Sequence, residues 1–286
     1  MTCYHPVSAF RTTTGVVFHE KARDDIIGDI QLPCGMCQGC RLRRALEWTL
    51  RCTHESKLHR ENCTVTLTYN EENLPTNGSL KHEHFEAMIK RLRARYHPRT
   101  IRYYMCGEYG GETERPHYHA VIFGKDFTDR KPLGTSESGE MFYSSEELTS
   151  LWPHGQAAVQ DATPGSMGYV TRYIMTKRLG RDAKTAYGDR RPEYNNMSRK
   201  PGLGEKWYNL YEADFRTEDH AIHNGVKQAV PRYYDKLLKR KDADQLELTK
   251  QARERESRKH ANDQTPERLA VREIVHEAKL RKLKRA

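Results

Sequence analysis

Three stretches of the chain follow strand patterns. Thr64-Val-Thr-Leu-Thr-Tyr69 is β-branched and alternating, Ile101-Arg-Tyr-Tyr-Met-Cys106 is rich in aromatic residues, and Tyr118-His-Ala-Val-Ile-Phe123 is apolar on both faces. Turn residues bound each one, so each is predicted as a strand. Between the first two the period changes. After Ser79, the apolar residues Phe85, Met88, Ile89 and Leu92 recur at helical spacing, with Lys90, Arg91, Arg93 and Arg95 elsewhere around the helix. That helix is expected to pack on the sheet. Ser144-Ser-Glu-Glu147 reads as a capping box opening a short helix that ends near Trp152-Pro153. Gln156 to Gln160 reads as a fourth strand, and Gly165 and Gly168 introduce a helix from about Met167 to Leu179. The pattern predicts an α+β fold, a central antiparallel β-sheet with flanking helices.

The two ends differ from this middle. Residues 231–286 hold 17 Lys+Arg against 10 Asp+Glu, and after Phe215 there is no Phe, Trp or Cys. Such a segment is rich in helix formers and poor in large apolar groups. The expected organisation is a Cys-rich N-terminal segment and helix at 1–58, the α+β domain at 59–215, and a basic, partly helical tail at 216–286.

Composition narrows the function classes. The chain has 286 residues, 36% of them apolar, and a formal net charge of +10. No apolar run approaches the roughly 18 residues that a membrane span needs. The first residues lack a basic start and an apolar stretch, and an odd count of seven cysteines, three of them between residues 34 and 40, does not suit a secreted disulfide framework. A reducing cytosol is expected. The basic excess favours an anionic partner, of which nucleic acid is the commonest.

The sharpest local feature is His117-Tyr-His119 inside the third strand. Alternation puts both imidazoles on one face, about 6 to 7 Å apart at Cα, where two common metal ligands can meet one ion. Glu108 precedes Gly110-Gly111, a pair able to turn the chain back into the histidine strand and bring the carboxylate beside the rings. Two imidazoles and a carboxylate leave positions open for water and a phosphate oxygen. Each of the three residues also has an ordinary structural reading, as a solvated or hydrogen-bonded side chain.

The second constellation lies in the predicted helix from Met167. Residues four apart are neighbours there, so Tyr169, Tyr173 and Lys177 share a stripe, with Met167, Val170 and Ile174 on a separate, buried one. A phenol is a poor nucleophile when neutral. It becomes useful where a metal polarises the target phosphate and a cation such as Arg172 or Lys177 helps the phenolate form. Packing in a core is the alternative for two such tyrosines.

In order along the chain, these residues resemble the HUH endonuclease superfamily, and in particular the replication initiators of gokushovirus-like microviruses, which are single-stranded DNA phages. Thr64 to Tyr69 resembles the first motif strand, His117-Tyr-His119 the His-hydrophobic-His motif, and Tyr169 with Tyr173 the nucleophile helix of two-tyrosine members. Glu108 stands where related viral initiators supply a third metal ligand. The resemblance covers roughly residues 60 to 215. It implies an RRM-like nicking domain with catalytic Mg2+ or Mn2+ on Glu108, His117 and His119. It also implies catalytic Tyr169, Tyr173 and Lys177, a 5'-phosphotyrosine link with a free 3'-hydroxyl, and later rejoining of ends. The implied partners are single-stranded or locally unwound origin DNA and a host helicase or polymerase, in the cytoplasm of a bacterial host. A plasmid initiator, relaxase or transposase of the same superfamily, or a non-enzymatic zinc-stabilised nucleic-acid-binding protein, remains the alternative.

Cys34-Gly-Met-Cys37-Gln-Gly-Cys40 contains two overlapping C-x-x-C hooks, suited to structural Zn2+ or to free thiols in a turn. A fourth ligand can come from Cys3, His5, Cys52 or His54. Beyond the tyrosines, Arg172, Arg178, Arg181, Arg199 and Lys200 are candidate DNA-binding residues, interspersed with Tyr187 and Tyr194 as rings for unstacked bases.

Overall fold

The computed structural model describes residues 3–19, 25–111, 113–135, 139–173, 177 and 181–283. They divide into two compact units, residues 1–44 with 247–286, and residues 45–246. In the first unit, β1 (Val7–Thr12), β2 (Val16–Val17) and β3 (Ile26–Leu32) form an antiparallel sheet in the order β2-β1-β3. The hydrophobic pattern predicts none of the three. They are short and mostly exposed, so their apolar alternation is weak.

Helix α1 (Gln38–Ser56) leads into the second unit. There follow β4 (Asn62–Thr68), α2 (His82–Arg95), β5 (Arg102–Tyr109), β6 (Pro116–Phe123), β7 (Lys131–Thr135), β8 (Met141–Ser144), α3 (Glu146–Leu151) and β9 (Ala157–Asp161). Next come α4 (Pro164–Arg172), α5 (Arg181–Tyr187) and β10 (Tyr194–Met197). Seven strands pair as one sheet in the order β10-β5-β6-β4-β9-β8-β7, antiparallel throughout. The α+β expectation holds.

Helices cover both faces of this sheet. On one face Val65, Leu67, Met105, Tyr118, Ala120 and Ile122 pack against Phe85, Met88, Ile89 and Leu92 of α2 and against Leu148 and Leu151 of α3. These are the four α2 residues that the periodicity singles out. Each such side chain contributes about 1.5–3 kcal/mol when removed from water. On the other face Tyr104, Cys106, Val121 and Phe123 pack against Cys52 of α1 and Met167 and Val170 of α4. Tyr118, the polar middle of the histidine motif, is on the first face and fully buried, its hydroxyl donating to the Lys81 carbonyl.

Three local boundaries differ from the expected ones. The short helix is capped by Ser145, which accepts from Leu148 N, while Ser144 still belongs to β8. Glu108 is inside β5, which runs three residues beyond Cys106 because residues 107 to 109 keep pairing with Pro116 to Tyr118. Helix α4 begins three residues before Met167, since Thr163 and Ser166 close a reciprocal capping box with Pro164 at the first turn. Its last helical residue is Arg172, and Tyr173 is the C-cap. The expected continuation to Leu179, including Ile174, lies outside the described residues apart from Lys177.

The rest of the second unit is α6 (Glu205–Leu210), α7 (Glu212–Glu218), the hairpin β11 (His220–His223) and β12 (Val226–Ala229), and α8 (Arg232–Lys241). Tyr234 and Leu237 of α8 join Leu50, Tyr208 and Phe215 in a third core cluster. The first unit is completed by the end of α9 (Ala243–Arg258) and by α10 (Pro266–Leu283). Among the described residues, no helix is long and apolar enough to cross a membrane.

Candidate active site

Register assembles the first part of the site. In the antiparallel ladder His117 lies opposite Glu108 of β5, and His119 lies opposite Cys106 of β5 and Thr66 of β4. All these side chains share the face that carries α1 and α4. One carboxylate oxygen, Glu108 Oε1, stands 2.7 Å from His117 Nε2 and 3.2 Å from His119 Nε2. The imidazole rings are 5.0 Å apart and nearly perpendicular. Glu108 and His119 are buried, each 6% exposed.

The other ring nitrogens are held from behind. His117 Nδ1–H donates to the Arg115 carbonyl at 3.0 Å, which turns Nε2 toward Glu108. His119 Nδ1 is 3.0 Å from the Thr66 hydroxyl. Such outer contacts select the tautomer and aim the ligand nitrogen. Thr66 is not among the residues that the motifs single out, because the signal for it is the pairing register, and a strand sequence alone does not give register.

The charges are mutually dependent. Burial pushes the Glu108 carboxyl up, but hydrogen bonds from both imidazoles outweigh it and hold the group below the usual carboxylate range. Burial also disfavours the charged form of His117, yet the Glu108 contact and the Arg115 carbonyl raise its value above the ordinary one. His119 is lowered, by burial first and by its neighbour His117.

The three donor atoms fit a divalent ion. They lie within 4.8 Å of one another. An octahedral ion with bonds of about 2.1 Å needs adjacent donors about 3 Å apart, which the 2.7 and 3.2 Å separations bracket.

Helix α4 brings the phenols to the same place. Met167 and Val170 anchor it to the sheet face, and the buried Thr171 and Thr49 hydroxyls, 2.7 Å apart, tie it to α1. Tyr173 stacks on His119 with centroids 4.4 Å apart and planes 7° from parallel. Tyr169 meets Tyr173 edge-on at 4.8 Å and His119 at 5.8 Å. The two tyrosines differ in access: Tyr169 is 48% exposed and Tyr173 half-buried. Burial, and then the Glu108 charge, push the Tyr173 phenol far above its ordinary value.

The remaining predicted residues scatter. Lys177 lies beyond the end of α4, where its charge reaches the buried carboxylate of Glu193. Glu193 is a neighbour that the motifs do not suggest. It immediately precedes β10, accepts from Tyr187 Oη at 2.9 Å and from Tyr109 N at 3.4 Å, and burial with the Glu108 charge nearby raises its value. Arg172 is exposed at the end of α4. Arg178 and the Arg181 side chain lie outside the described residues. Arg199 and Lys200 are exposed past the far end of β10, where Met197 pairs with Tyr104 rather than with the Glu108 end of β5. Tyr187 and Tyr194, expected as rings for unstacked bases, are turned inward: Tyr187 is buried, and Tyr194 packs on the core with its hydroxyl 3.0 Å from His82 Nδ1.

In the first unit, Cys3 supplies the fourth member of the cysteine set. The Cys3, Cys34, Cys37 and Cys40 sulfurs lie within 4.8 Å of one another, with no disulfide among them. Cys3 Sγ is 3.6 Å from Cys34 Sγ and 3.9 Å from Cys37 Sγ. A tetrahedral zinc with bonds of about 2.3 Å needs sulfurs about 3.8 Å apart, so the set fits such an ion. Backbone N–H groups of Cys34, Cys37 and Tyr4 point at the sulfurs. Despite burial, such contacts bring the Cys37 thiol down to about 6, whereas burial pushes Cys40 up to about 12. The other fourth-ligand candidates are engaged differently. His5 binds Glu273, Cys52 is in the sheet core, and His54 is hydrogen-bonded to Tyr234.

Residues 62–178, which contain both the sheet-borne donors and the tyrosines, match the family described as replication-associated protein ORF2/gene II protein. Replication-associated protein VP4 of Bdellovibrio phage phiMH2K is 34% identical over 250 residues, 84% of this chain and 78% of the relative. Replication-associated protein ORF2 of Spiroplasma virus 4 is 31% identical, over 84% of this chain and 78% of the relative. Replication-associated protein ORF4 of Chlamydia phage 1 is 32% identical over 73% of this chain, but that match spans only 54% of the relative. The chain belongs to the replication-associated protein family of these phages. No solved structure matches it.

Proposed function

We propose that the chain initiates rolling-circle replication by nicking single-stranded origin DNA at a tyrosine and later rejoining the ends. The observation that supports this most is the meeting of His119, Tyr173 and Tyr169 beside a carboxylate shared by two imidazoles. Glu108, His117 and His119 would hold Mg2+ or Mn2+, which supplies Lewis-acid charge at a phosphate oxygen when bound.

The chain's own groups supply the rest. Tyr169, the more exposed phenol, attacks the phosphorus. Its oxygen forms a P–O bond as the bond to the 3'-oxygen breaks, the phenol proton is lost, and the 3'-oxygen leaves as a hydroxyl after taking a proton. The phosphodiester is conserved as a 5'-phosphotyrosine ester and can be transferred again. Tyr173, within one ring contact, can receive the next 5'-phosphate while the released 3'-hydroxyl attacks the first ester. Lys177 and Arg172 are assigned to phenolate formation and the DNA backbone. The four cysteines are assigned to structural Zn2+.

The test uses single-stranded oligonucleotides tiled across the replicon that encodes the chain, with Mn2+. A covalent protein–DNA adduct and a free 3'-hydroxyl are expected, both lost with chelator and in the Tyr169→Phe/Tyr173→Phe double variant. Cutting that survives the double substitution overturns the reading.

A further inference from the structure

The cations beyond β10 do not accompany the tyrosines. A cleft of about 650 Å³ lies where β10 ends and β5 begins, lined by Arg93, Arg102, Tyr103, Arg199, Lys200 and Lys206 among others. Its basic groups fall into two kinds. Arg102 is buried and matched to Glu55 at 2.9 Å, and Arg99 is matched to Glu61 at 2.8 Å. Arg93, Arg199, Lys200 and Lys206 are exposed and have no carboxylate within 4.0 Å among the described residues. Arg93 is held in place all the same, with Nε donating to the Ile101 carbonyl at 3.1 Å.

We infer that this cleft grips the phosphate backbone of paired DNA flanking the nick. Four uncompensated cations around one concavity suit a row of phosphates, since each neutralised phosphate releases counterions. The lining does not suit unpaired bases, which seek open aromatic faces. Its one phenol, Tyr103, packs edge-on against Phe85 at 5.4 Å and lies beneath the Arg93 guanidinium at 5.6 Å. The spacing also fits a flank. Arg102 and Glu108 are six residues apart along β5, about 20 Å, which is about the rise of six base pairs.

This inference rests on the nicking reading for the meaning of "flanking", but its test needs no cutting. Binding of the full chain is measured in chelator, over a range of salt, to a DNA hairpin bearing an unpaired arm and to the arm alone. For the Arg199→Gln/Lys200→Gln/Lys206→Gln variant, affinity for the hairpin probe should fall at least about tenfold. The slope of log affinity against log salt should drop by about 2 to 3, and affinity for the arm alone should change less than about twofold. Arg93→Gln added to the set should lower the slope further. An unchanged slope on the hairpin, or equal losses on both probes, overturns the cleft as a duplex grip. Loss of nicking without either result bears only on the tyrosine reading.

Discussion

His119 lies flat against Tyr173, with the same imidazole aiming Nε2 at Glu108 from 3.2 Å. A ligand nitrogen and a phenol are therefore neighbours on one rigid face. An ion drawn onto the imidazoles would also offset the Glu108 charge, one of the two main causes holding the Tyr173 phenol protonated.

The difference in access between the two phenols predicts an order of use. Tyr169→Phe should lower the yield of the first adduct by at least about 10³-fold. Tyr173→Phe should leave that adduct within about tenfold and abolish transfer to a second strand. Peptide mapping of the linked residue checks this, and a first adduct carried by Tyr173 contradicts it.

The outer contact at Thr66 predicts a metal-specific defect. Without a hydroxyl behind Nδ1, the Thr66→Val variant should bind Mn2+ about 10 to 100 times more weakly. Excess Mn2+ should then restore nicking. Titration calorimetry and a metal-dependence curve read the effect, and a defect that excess metal does not repair assigns Thr66 another part. Glu108→Gln should lose nicking at any metal concentration while DNA affinity stays within about twofold, because the ion serves the reaction more than the grip.

His54 predicts acid sensitivity. It is sandwiched beside Trp207, with ring centroids 3.7 Å apart, and its Nδ1 is 2.7 Å from Tyr234 Oη. Burial, helped by Lys57, drives its value down from 6.5 to about 3. The unfolded chain therefore binds this proton first. Stability is complete above pH 6.5 and declines as pH falls toward 3, by up to about 1.4 kcal/mol per pH unit. Thermal melts of His54→Gln should show a shallower loss of Tm over that window than the parent chain, and parallel curves count against the assignment.

The cysteine set predicts one zinc per chain in the purified protein, measured by elemental analysis. Cys3→Ser and Cys40→Ser should each lower that stoichiometry and the Tm. Full zinc retention in Cys3→Ser would show that this residue is not a ligand.

Phe85 is fully buried between α2 and the sheet. Phe85→Ala should cost about 3–5 kcal/mol in denaturant unfolding. A loss below about 1 kcal/mol would mean the site collapses around the deletion.

Local signals carry the centre of the molecule. Period-two runs mark β4, β5 and β6, period 3.6 marks the buried face of α2, and alternation puts both imidazoles together. The chain pattern fails where structure depends on distant pairing. Strands β7 and β10 are short or exposed, and β5 continues through Gly107 and Glu108 only because β6 pairs with it. The stripe of Tyr169, Tyr173 and Lys177 assumes an uninterrupted helix, whereas α4 stops at Arg172. Residues beyond 215 read as sparse in apolar groups, yet Tyr234 is fully buried there, because a phenol fills a core when its hydroxyl has a partner such as His54.

All three candidate ion donors come from one hairpin, with Glu108 and His117 separated by eight residues and facing each other across the turn. Closing so short a loop costs little chain entropy. The cation pocket can thus take shape from a local ribbon, early and without help from the rest of the chain, while the phenols arrive only when α4 docks, about fifty residues later. Affinity for the ion and competence to cut are in this way separable properties, and a chain damaged in its helical layer should still capture the one while losing the other.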